Sequence, residues 1–384
     1  VNKNYIEDRF NLENLLFSGN PSFKSTALEI IKSNPDKKEN SETISQHISD
    51  LCIELYGLIH ARYILTYEGA EKMRLKIEDR VYGTCPRVLC YSQSLLPMGV
   101  SNKPKERIMV LFCPKCNEQY RTMLKNQIID GSYYGLNFPQ MYYMWESSHR
   151  PALSKKKWQI VSDDSDSCQC HNFGIYSPKR VSMIFHDVSK NHLYFDSTKF
   201  DSLQEWLVGL PGNQIFVTVP TSYFKSDEAK AIIDNFITNK EEWKNEIMYL
   251  VNLLSGVELY GMVHASYCLT AEGISNIYSM WEEGIFGRCK RFSCKDSERR
   301  LFPVSVCPIY YHKELKFYCF GCNDAYHNSL CKKRNVLDGS FFPITLLYRT
   351  MLNYPNMAPD KKFQPFSPKL FGFEIHPEVY KIEE

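Results

Sequence analysis

The fold is decided by a stretch that begins with Cys85-Pro86-Arg87-Val88-Leu89-Cys90 and ends, after 22 intervening residues, with Cys113-Pro114-Lys115-Cys116. Four cysteines at this spacing bring two loops together around one tetrahedral zinc ion, each loop supplying two thiolates. The same spacing occurs a second time along the chain. The sequence therefore predicts two structural Zn²⁺ sites, with the ligand sets Cys85, Cys90, Cys113, Cys116 and Cys289, Cys294, Cys319, Cys322.

Both cysteine quartets lie inside a longer internal repeat. The segment Tyr56-Gly57-Leu58-Ile59-His60-Ala61-Arg62-Tyr63-Ile64-Leu65-Thr66 returns as Tyr260-Gly261-Met262-Val263-His264-Ala265-Ser266-Tyr267-Cys268-Leu269-Thr270. A repeat of roughly two hundred residues is too long for a solenoid unit and indicates domain duplication. We expect a first copy at 1–150 (helical lobe 1–80, zinc ribbon 81–150), a connector at 151–203, and a second copy at 204–384 (helical lobe 204–284, zinc ribbon 285–350, tail 351–384).

Local patterns predict an α+β fold. Ile44, Ile48, Leu51 and Leu55 follow helical spacing up to residue 59, and Trp243 to Leu254 repeat that pattern. Thr66 is expected to cap a second helix that starts near Glu68. Strands at 107–112 and 315–318 are expected to lead into the two Cys-x2-Cys turns.

Composition and charge exclude several classes of protein. The chain has 384 residues, 43% hydrophobic and 23% charged, which is ordinary for a soluble globular protein. Its formal net charge of +2 falls to about −2 once two four-thiolate zinc centres form. Nucleic-acid binding needs a concentrated basic footprint, and the basic runs Lys155-Lys156-Lys157 and Lys332-Lys333-Arg334 are expected to be solvated surface.

Three further patterns in the sequence bear on the cellular compartment of the protein. No apolar run reaches the roughly 18 residues needed to span a bilayer, so no membrane association is expected. There is no signal-peptide pattern, and the start at Val1 suggests a trimmed or incomplete N-terminus. A secreted disulfide framework is the competing interpretation of the cysteines, but a chain of this length does not need disulfides. Zinc-bound thiolates instead favour a reducing compartment, the cytoplasm, the nucleus or both. Cys52 and Cys268 are expected to be buried apolar residues.

Catalytic motifs are missing from the sequence. There is no Gly-rich phosphate loop, kinase catalytic loop or Asp-Phe-Gly motif, so phosphoryl transfer by this chain is not expected. Cys113-Pro114-Lys115-Cys116 could imitate a redox dithiol, but its pairing with Cys85 and Cys90 favours a closed structural metal site. His60 and His264 are expected to be packed or hydrogen-bonded core residues.

With its cysteine quartets and its repeated helix motif, the sequence resembles the regulatory beta subunit family of casein kinase II. The resemblance covers about residues 1–150 and 204–384. The motifs that carry it, in family order, are Tyr5 to Leu12, Tyr56 to Thr66, Cys85-Pro86-Arg87-Val88, Leu96-Pro97-Met98-Gly99-Val100-Ser101, Cys113-Pro114-Lys115-Cys116 and Asp130-Gly131. Family members carry one copy and form homodimers through their zinc ribbons, so the resemblance implies an intramolecular pseudo-dimer here.

The resemblance also implies a non-catalytic regulatory subunit that binds the catalytic alpha subunit, with protein substrates selected by the complex. The docking element is expected at the hairpin 367–377, with Leu370, Phe371, Phe373 and Ile375 as partner-binding residues. Phe173 to Pro178 is a degraded counterpart in the first copy, so one kinase subunit per chain is expected. The alternatives are a nucleic-acid-binding zinc-ribbon protein, a scaffold without a kinase, and a hairpin whose two phenylalanines cover their own domain.

Overall fold

The structure, a computed structural model, describes residues 1–33, 45–122, 129–154, 203–209, 213–238, 248–295, 299–306, 314–327, 338–357 and 364–380. Each copy has a helical lobe and a three-stranded antiparallel sheet, which confirms the α+β class with two copies. Within these ranges, no helix combines the length and the apolar character needed to cross a membrane.

The helices of the first copy are α1 (Lys3–Glu7), α2 (Pro21–Lys32), α3 (Gln46–Tyr63), α4 (Tyr67–Glu78) and α5 (Phe138–Trp145). The predicted long helix is confirmed as α3. Its residues Leu55 and Ile59 are fully buried against Ala27 of α2. The apolar face of α3 therefore forms the centre of the first helical lobe.

The corner between α3 and α4 is fixed by a helix cap at Thr66 and by close backbone packing at Gly69. The Thr66 hydroxyl accepts a hydrogen bond from the Gly69 N–H at 3.2 Å, as predicted for a helix cap. A Cβ on Gly69 would lie 1.9 Å from the Tyr63 carbonyl oxygen, so no larger residue fits there. Thr270 and Gly273 repeat both features in the second copy. The corner is therefore dictated by sequence in each repeat.

The helices of the second copy are α6 (Leu203–Gly209), α7 (Asp227–Thr238), α8 (Met248–Tyr267), α9 (Ala271–Glu283) and α10 (Leu346–Asn353). Helix α8 is the counterpart of α3, and Trp243, at the predicted start of this helix, lies outside the described residues. Cys268 is fully buried, as expected, whereas Cys52 is only half-buried.

Each sheet has three short strands in sequence order. The strands are β1 (Leu96–Met98), β2 (Val110–Cys113), β3 (Glu118–Arg121), β4 (Leu301–Val304), β5 (Lys316–Cys319) and β6 (Asp324–His327). The registers match: Cys113 lies opposite Glu118, and Cys319 lies opposite Asp324. The strand predicted at 107–112 starts later because Ile108 forms an isolated bridge with Asp130.

The two ribbons pair with each other across a local pseudo-twofold axis. The Arg121 N–H donates to the Lys290 carbonyl at 2.8 Å, and the His327 N–H donates to the Pro86 carbonyl at the same distance. These donors follow the last cysteine of their quartets by five residues, and the acceptors follow the first cysteine by one. The chain therefore forms the expected pseudo-dimer within itself.

After its second ribbon the chain crosses to the first copy. Phe366 packs beside Met98, Val110 and Phe112 of the first sheet. The hairpin that follows has strands β7 (Lys369–Leu370) and β8 (Phe373–Glu374), and β7 contacts α5. The tail of one copy is thus seated on the zinc ribbon and helix of the other.

Candidate metal centres and exposed hairpin

The first metal centre gathers Cys85, Cys90, Cys113 and Cys116. All four sulfur atoms lie within 4.8 Å of one another. The Cys85–Cys116 and Cys90–Cys113 Sγ distances are 4.0 and 3.9 Å. A tetrahedral zinc ion with Zn–S bonds of about 2.3 Å sets its ligand sulfurs about 3.8 Å apart, whereas a disulfide needs about 2 Å. The arrangement therefore fits a metal ion and not a pair of disulfides.

The second centre repeats this geometry with Cys289, Cys294, Cys319 and Cys322. The Cys289–Cys322 and Cys294–Cys319 Sγ distances are both 3.7 Å, and all four residues are buried. The two clusters therefore fit two structural zinc sites. With four protein ligands each, they offer no open coordination position for hydrolytic chemistry.

Backbone geometry turns each Cys-x2-Cys pair toward the metal position. Asn117 and Asn323, directly after the last cysteine of each quartet, have positive φ angles of 53° and 49°. Asparagine tolerates this left-handed conformation, which lets β2 and β5 turn tightly into β3 and β6. The cysteine spacing and the following asparagine therefore act together in both ribbons.

A tyrosine beside each centre supports one ligand. Tyr120 Oη lies 3.3 Å from Cys116 Sγ, and Tyr326 Oη lies 2.8 Å from Cys322 Sγ. A metal-bound thiolate can only accept a hydrogen bond, so the hydroxyl donates in each case. Both tyrosines are buried and belong to the strands that face the other ribbon, which couples each metal centre to the pairing surface.

Buried charges cross the interface between the ribbons. Arg87 Nε lies 2.5 Å from Asp324 Oδ2, and Arg291 Nη2 lies 2.9 Å from the same oxygen. Glu118 is the counterpart of Asp324, but it lies farther from an arginine: its Oε2 is 4.0 Å from Arg291 Nε. Burial raises the pKa of Glu118 to about 7, although Arg291 opposes that shift. The interface is therefore asymmetric despite the repeated sequence.

These four residues were not identified as functional by the sequence reasoning. The signal was available: each arginine follows the first cysteine of its quartet by two residues, and each acid follows the last cysteine by two. A charged residue repeated at fixed distance from a metal ligand in both copies is a candidate for pairing the copies.

The C-terminal hairpin presents two aromatic side chains to solvent. Phe371 is 63% exposed and Phe373 is 78% exposed, so neither covers the core of its own copy. Phe371 and Gly372 both have positive φ angles, 50° and 88°, which is the geometry of a two-residue hairpin turn. Leu370 and Ile375 are half-buried.

The hairpin is fixed to the first copy. The Phe371 N–H donates to Asn137 Oδ1 at 2.9 Å, just before α5. Farther along the tail, the Arg150 guanidinium lies 4.7 Å from the centre of the Tyr380 ring. The two exposed rings therefore project from an ordered edge that both copies build.

Three segments singled out in the sequence lie outside the described residues. They are the degraded hairpin at 173–178 and the basic runs at 155–157 and 332–334.

Two zinc ribbons paired through buried charges, with a hairpin carried from one copy onto the other, define a tandem zinc-ribbon protein. The chain belongs to the casein kinase II regulatory subunit family, whose model matches residues 1–171 and again 202–374. Two separate matches in sequence order confirm the tandem duplication, and the first match extends beyond residue 150.

Individual relatives agree with this assignment. Casein kinase II subunit beta' of Drosophila melanogaster is 38% identical over 159 residues, 41% of this chain and 72% of the relative. Casein kinase II subunit beta-2 of Neurospora crassa is 34% identical over 165 residues, 41% of this chain and 55% of the relative. Casein kinase II subunit beta of Schizosaccharomyces pombe is 38% identical over 146 residues, 37% of this chain and 61% of the relative.

Proposed function

We propose that this chain is a non-catalytic regulatory subunit that binds the catalytic alpha subunit of a casein kinase II-like Ser/Thr kinase. In the complex it stabilises the kinase and influences which protein substrates are phosphorylated. The family membership of both copies supports this proposal. The observation that carries it is the hairpin, whose exposed Phe371 and Phe373 project from an ordered turn.

The chemistry of the hairpin suits docking into an apolar groove. Two phenylalanine rings add a large apolar area with few rotatable bonds, so they bind at low entropic cost. Leu370 and Ile375 are half-buried, and the Phe371 N–H is held by Asn137, so the turn is formed before a partner arrives. A preformed docking element loses less conformational freedom on binding than a flexible tail does.

The duplicated architecture supports a stoichiometry of one kinase subunit per chain. The hairpin belongs to the tail of the second copy, and it packs on α5 of the first copy. The counterpart of the hairpin motif in the first copy, at 173–178, is degraded in sequence. We further propose that the complex works in the cytoplasm, the nucleus or both, where thiolate zinc ligands remain reduced.

The test is capture of the purified catalytic subunit by the full chain. We expect Phe371→Ala combined with Phe373→Ala to weaken binding by at least about a hundredfold, because each ring contributes on the order of 2 kcal/mol at a docking hot spot. The matched control is Phe10→Ala, which removes an equally exposed phenylalanine from the first helical lobe. Undiminished binding by the double variant would reject the docking assignment. A complex mass showing two kinase subunits per chain would reject the stoichiometry.

A further inference from the structure

The tail that carries the hairpin is held a second time, beyond the hairpin, by an arginine of the first copy. The Arg150 guanidinium lies over two tyrosine rings, 5.3 Å from the centre of Tyr143 and 4.7 Å from the centre of Tyr380. Its Nη2 also donates to Gln140 Oε1 at 3.0 Å. Tyr143 and Gln140 are buried residues of α5, whereas Tyr380 belongs to the tail of the second copy. Arg150 therefore joins the two copies through a cation stacked on aromatic rings.

The segment that carries Arg150 is itself fixed on the first copy. The Arg150 N–H donates to the Ser147 carbonyl at 3.3 Å, in the turn that follows α5. A few residues later, the Ser154 N–H donates to the Lys115 carbonyl at 2.7 Å, inside the first Cys-x2-Cys turn. The guanidinium is therefore positioned by α5 and by the first zinc ribbon, independently of the tail.

The hairpin lies between two anchors of the tail. Phe366, which packs on the first sheet, precedes β7 by three residues, and Tyr380 follows β8 by six. Between β8 and Tyr380, the residues His376, Glu378 and Val379 are exposed, so the half-buried Tyr380 is where the chain packs again. The contact with Arg150 therefore fixes the end of the hairpin that Phe366 does not reach.

The second copy has alanine in place of this arginine. Helices α5 and α10 have the same length, and each is followed by a one-turn helix, Ser147–His149 in the first copy and Pro355–Met357 in the second. The next residue in sequence is Arg150 in the first copy and Ala358 in the second, and a proline follows in both. The arginine is therefore present in the copy that receives the intact hairpin, and the other copy has a residue that cannot make this contact.

Arginine is suited to this contact by its shape. Its planar guanidinium can lie against an aromatic ring while its N–H groups donate sideways, and it stays protonated at neutral pH. The attraction between a cation and a ring increases when both are partly withdrawn from water, and Arg150 and Tyr380 are both half-buried. Lysine has the charge without the planar donor array, so it cannot keep the Gln140 hydrogen bond together with both ring contacts.

We propose that Arg150 is a positioning residue for kinase docking, which holds the hairpin in its docking geometry through Tyr380. This role rests on the proposed function, and it adds a residue of the first copy that acts through the tail instead of touching the kinase. Loss of Arg150 leaves Phe371 and Phe373 in place but lets the tail detach beyond β8. Only chains with an attached hairpin can then dock, so the apparent affinity falls in proportion to their fraction.

A positioning residue and a contact residue change different rate constants. A smaller fraction of competent chains lowers the association rate constant, whereas the assembled complex keeps its contacts and dissociates as before. Truncation of a ring inside an interface mainly speeds dissociation. The two rate constants therefore distinguish the role of Arg150 from that of Phe371.

The first measurement is binding of the purified catalytic subunit to the zinc-loaded full chain by surface plasmon resonance. For Arg150→Ala we expect an association rate constant about tenfold lower and a dissociation rate constant unchanged within about twofold. Arg150→Lys should recover little of the loss, whereas Phe371→Ala should raise the dissociation rate constant. The matched control is Arg107→Ala, which removes an exposed arginine of the first copy and should leave both constants unchanged.

A double variant tests whether Arg150 acts through Tyr380. Tyr380→Ala alone should lower the association rate constant about as much as Arg150→Ala does. The two changes combined should have no larger effect than either alone, because both remove one contact. Additive effects of the two changes would show that Arg150 acts elsewhere and would overturn the proposal. Two zinc ions per chain in every variant verify that the ribbons are intact.

Hydrogen exchange in the free chain measures the positioning without the kinase. The Phe371 N–H, which donates to Asn137, should exchange about tenfold faster in Arg150→Ala, as measured by mass spectrometry on the peptide 369–375. Unchanged exchange in this peptide, or faster dissociation of the kinase from Arg150→Ala, would overturn the proposal. If the unaltered chain binds no catalytic subunit but exchange is faster in Arg150→Ala, the proposed function fails and the positioning of the hairpin by Arg150 stands.

Discussion

Arg87 in the first ribbon and Asp324 in the second form an ion pair with both side chains buried, although 237 residues separate them in sequence. The Arg291 side chain shares the same carboxylate. A charge held inside an interface is costly unless its partner is present. This pair therefore makes the two copies depend on each other, and the asymmetry at Glu118 shows that the two halves of the interface have diverged.

The first prediction concerns that pair. Arg87→Ala should lower the free energy of unfolding by about 3 kcal/mol, at the low end for a broken buried ion pair because Asp324 keeps Arg291. The measurement is urea unfolding of the zinc-loaded chain. The control is Lys103→Ala, which removes an exposed pair with Glu106 and should cost less than about 1 kcal/mol. Similar costs for the two variants would show that the buried pair does not join the ribbons.

The second prediction concerns the metal centres. Cys113→Ser should leave one zinc ion per chain instead of two, because each four-thiolate site depends on every ligand and zinc binding supplies on the order of 10 kcal/mol of folding free energy. Elemental analysis of the purified protein measures this directly. Cys52→Ser is the control, since Cys52 lies outside both clusters and should retain two ions. Two ions in the Cys113 variant would contradict the assigned ligand set.

The third prediction concerns acid stability. Burial lowers the pKa of His264 from its usual 6.5 to about 4, so the folded protein binds fewer protons there than the unfolded chain. Stability must therefore fall as pH drops below about 6.5, and the loss is complete only below about pH 4. Between pH 7.5 and 5.5 this residue should contribute roughly 1 kcal/mol of that loss. Urea unfolding across that interval should show a smaller pH dependence in His264→Asn, and an unchanged slope would refute the buried neutral histidine.

How well the sequence predicts each contact depends on how far apart the two residues lie along the chain. The cysteine quartets, the Thr66 cap and the helix α3 are local patterns, and the structure confirms all three. The partner of Arg87 could not be predicted in this way because it lies on another ribbon. The position of the tail could not be predicted from local patterns either, because nothing in the spacing around Phe366 indicates that it packs on the first copy.

The two repeated histidines illustrate a further limit. The repeat predicts that His60 and His264 have the same surroundings, and the hydrogen bond at Nδ1 is indeed the same in both. What differs is the burial of the two rings: Phe216 packs against His264, which is fully buried, whereas His60 is half-buried. Sequence identity in a repeated helix therefore does not guarantee equal burial, which is set by whatever packs on that helix.

The last prediction concerns the crossing tail. Phe366→Ala removes the ring that packs against Phe112, while the contacts of the tail with Asn137 and Arg150 remain. Loss of a partly buried phenylalanine costs about 1 to 2 kcal/mol, so the detached state of the tail should become about tenfold more populated. Trypsin cleavage after Lys369, followed by mass spectrometry, should accelerate by the same factor while zinc content stays at two ions. Val379→Ala changes an exposed residue of the same tail and should leave the rate unchanged. Equal rates in the two variants would mean that the tail is not anchored on the first ribbon, and the composite edge on which the hairpin depends would have to be abandoned.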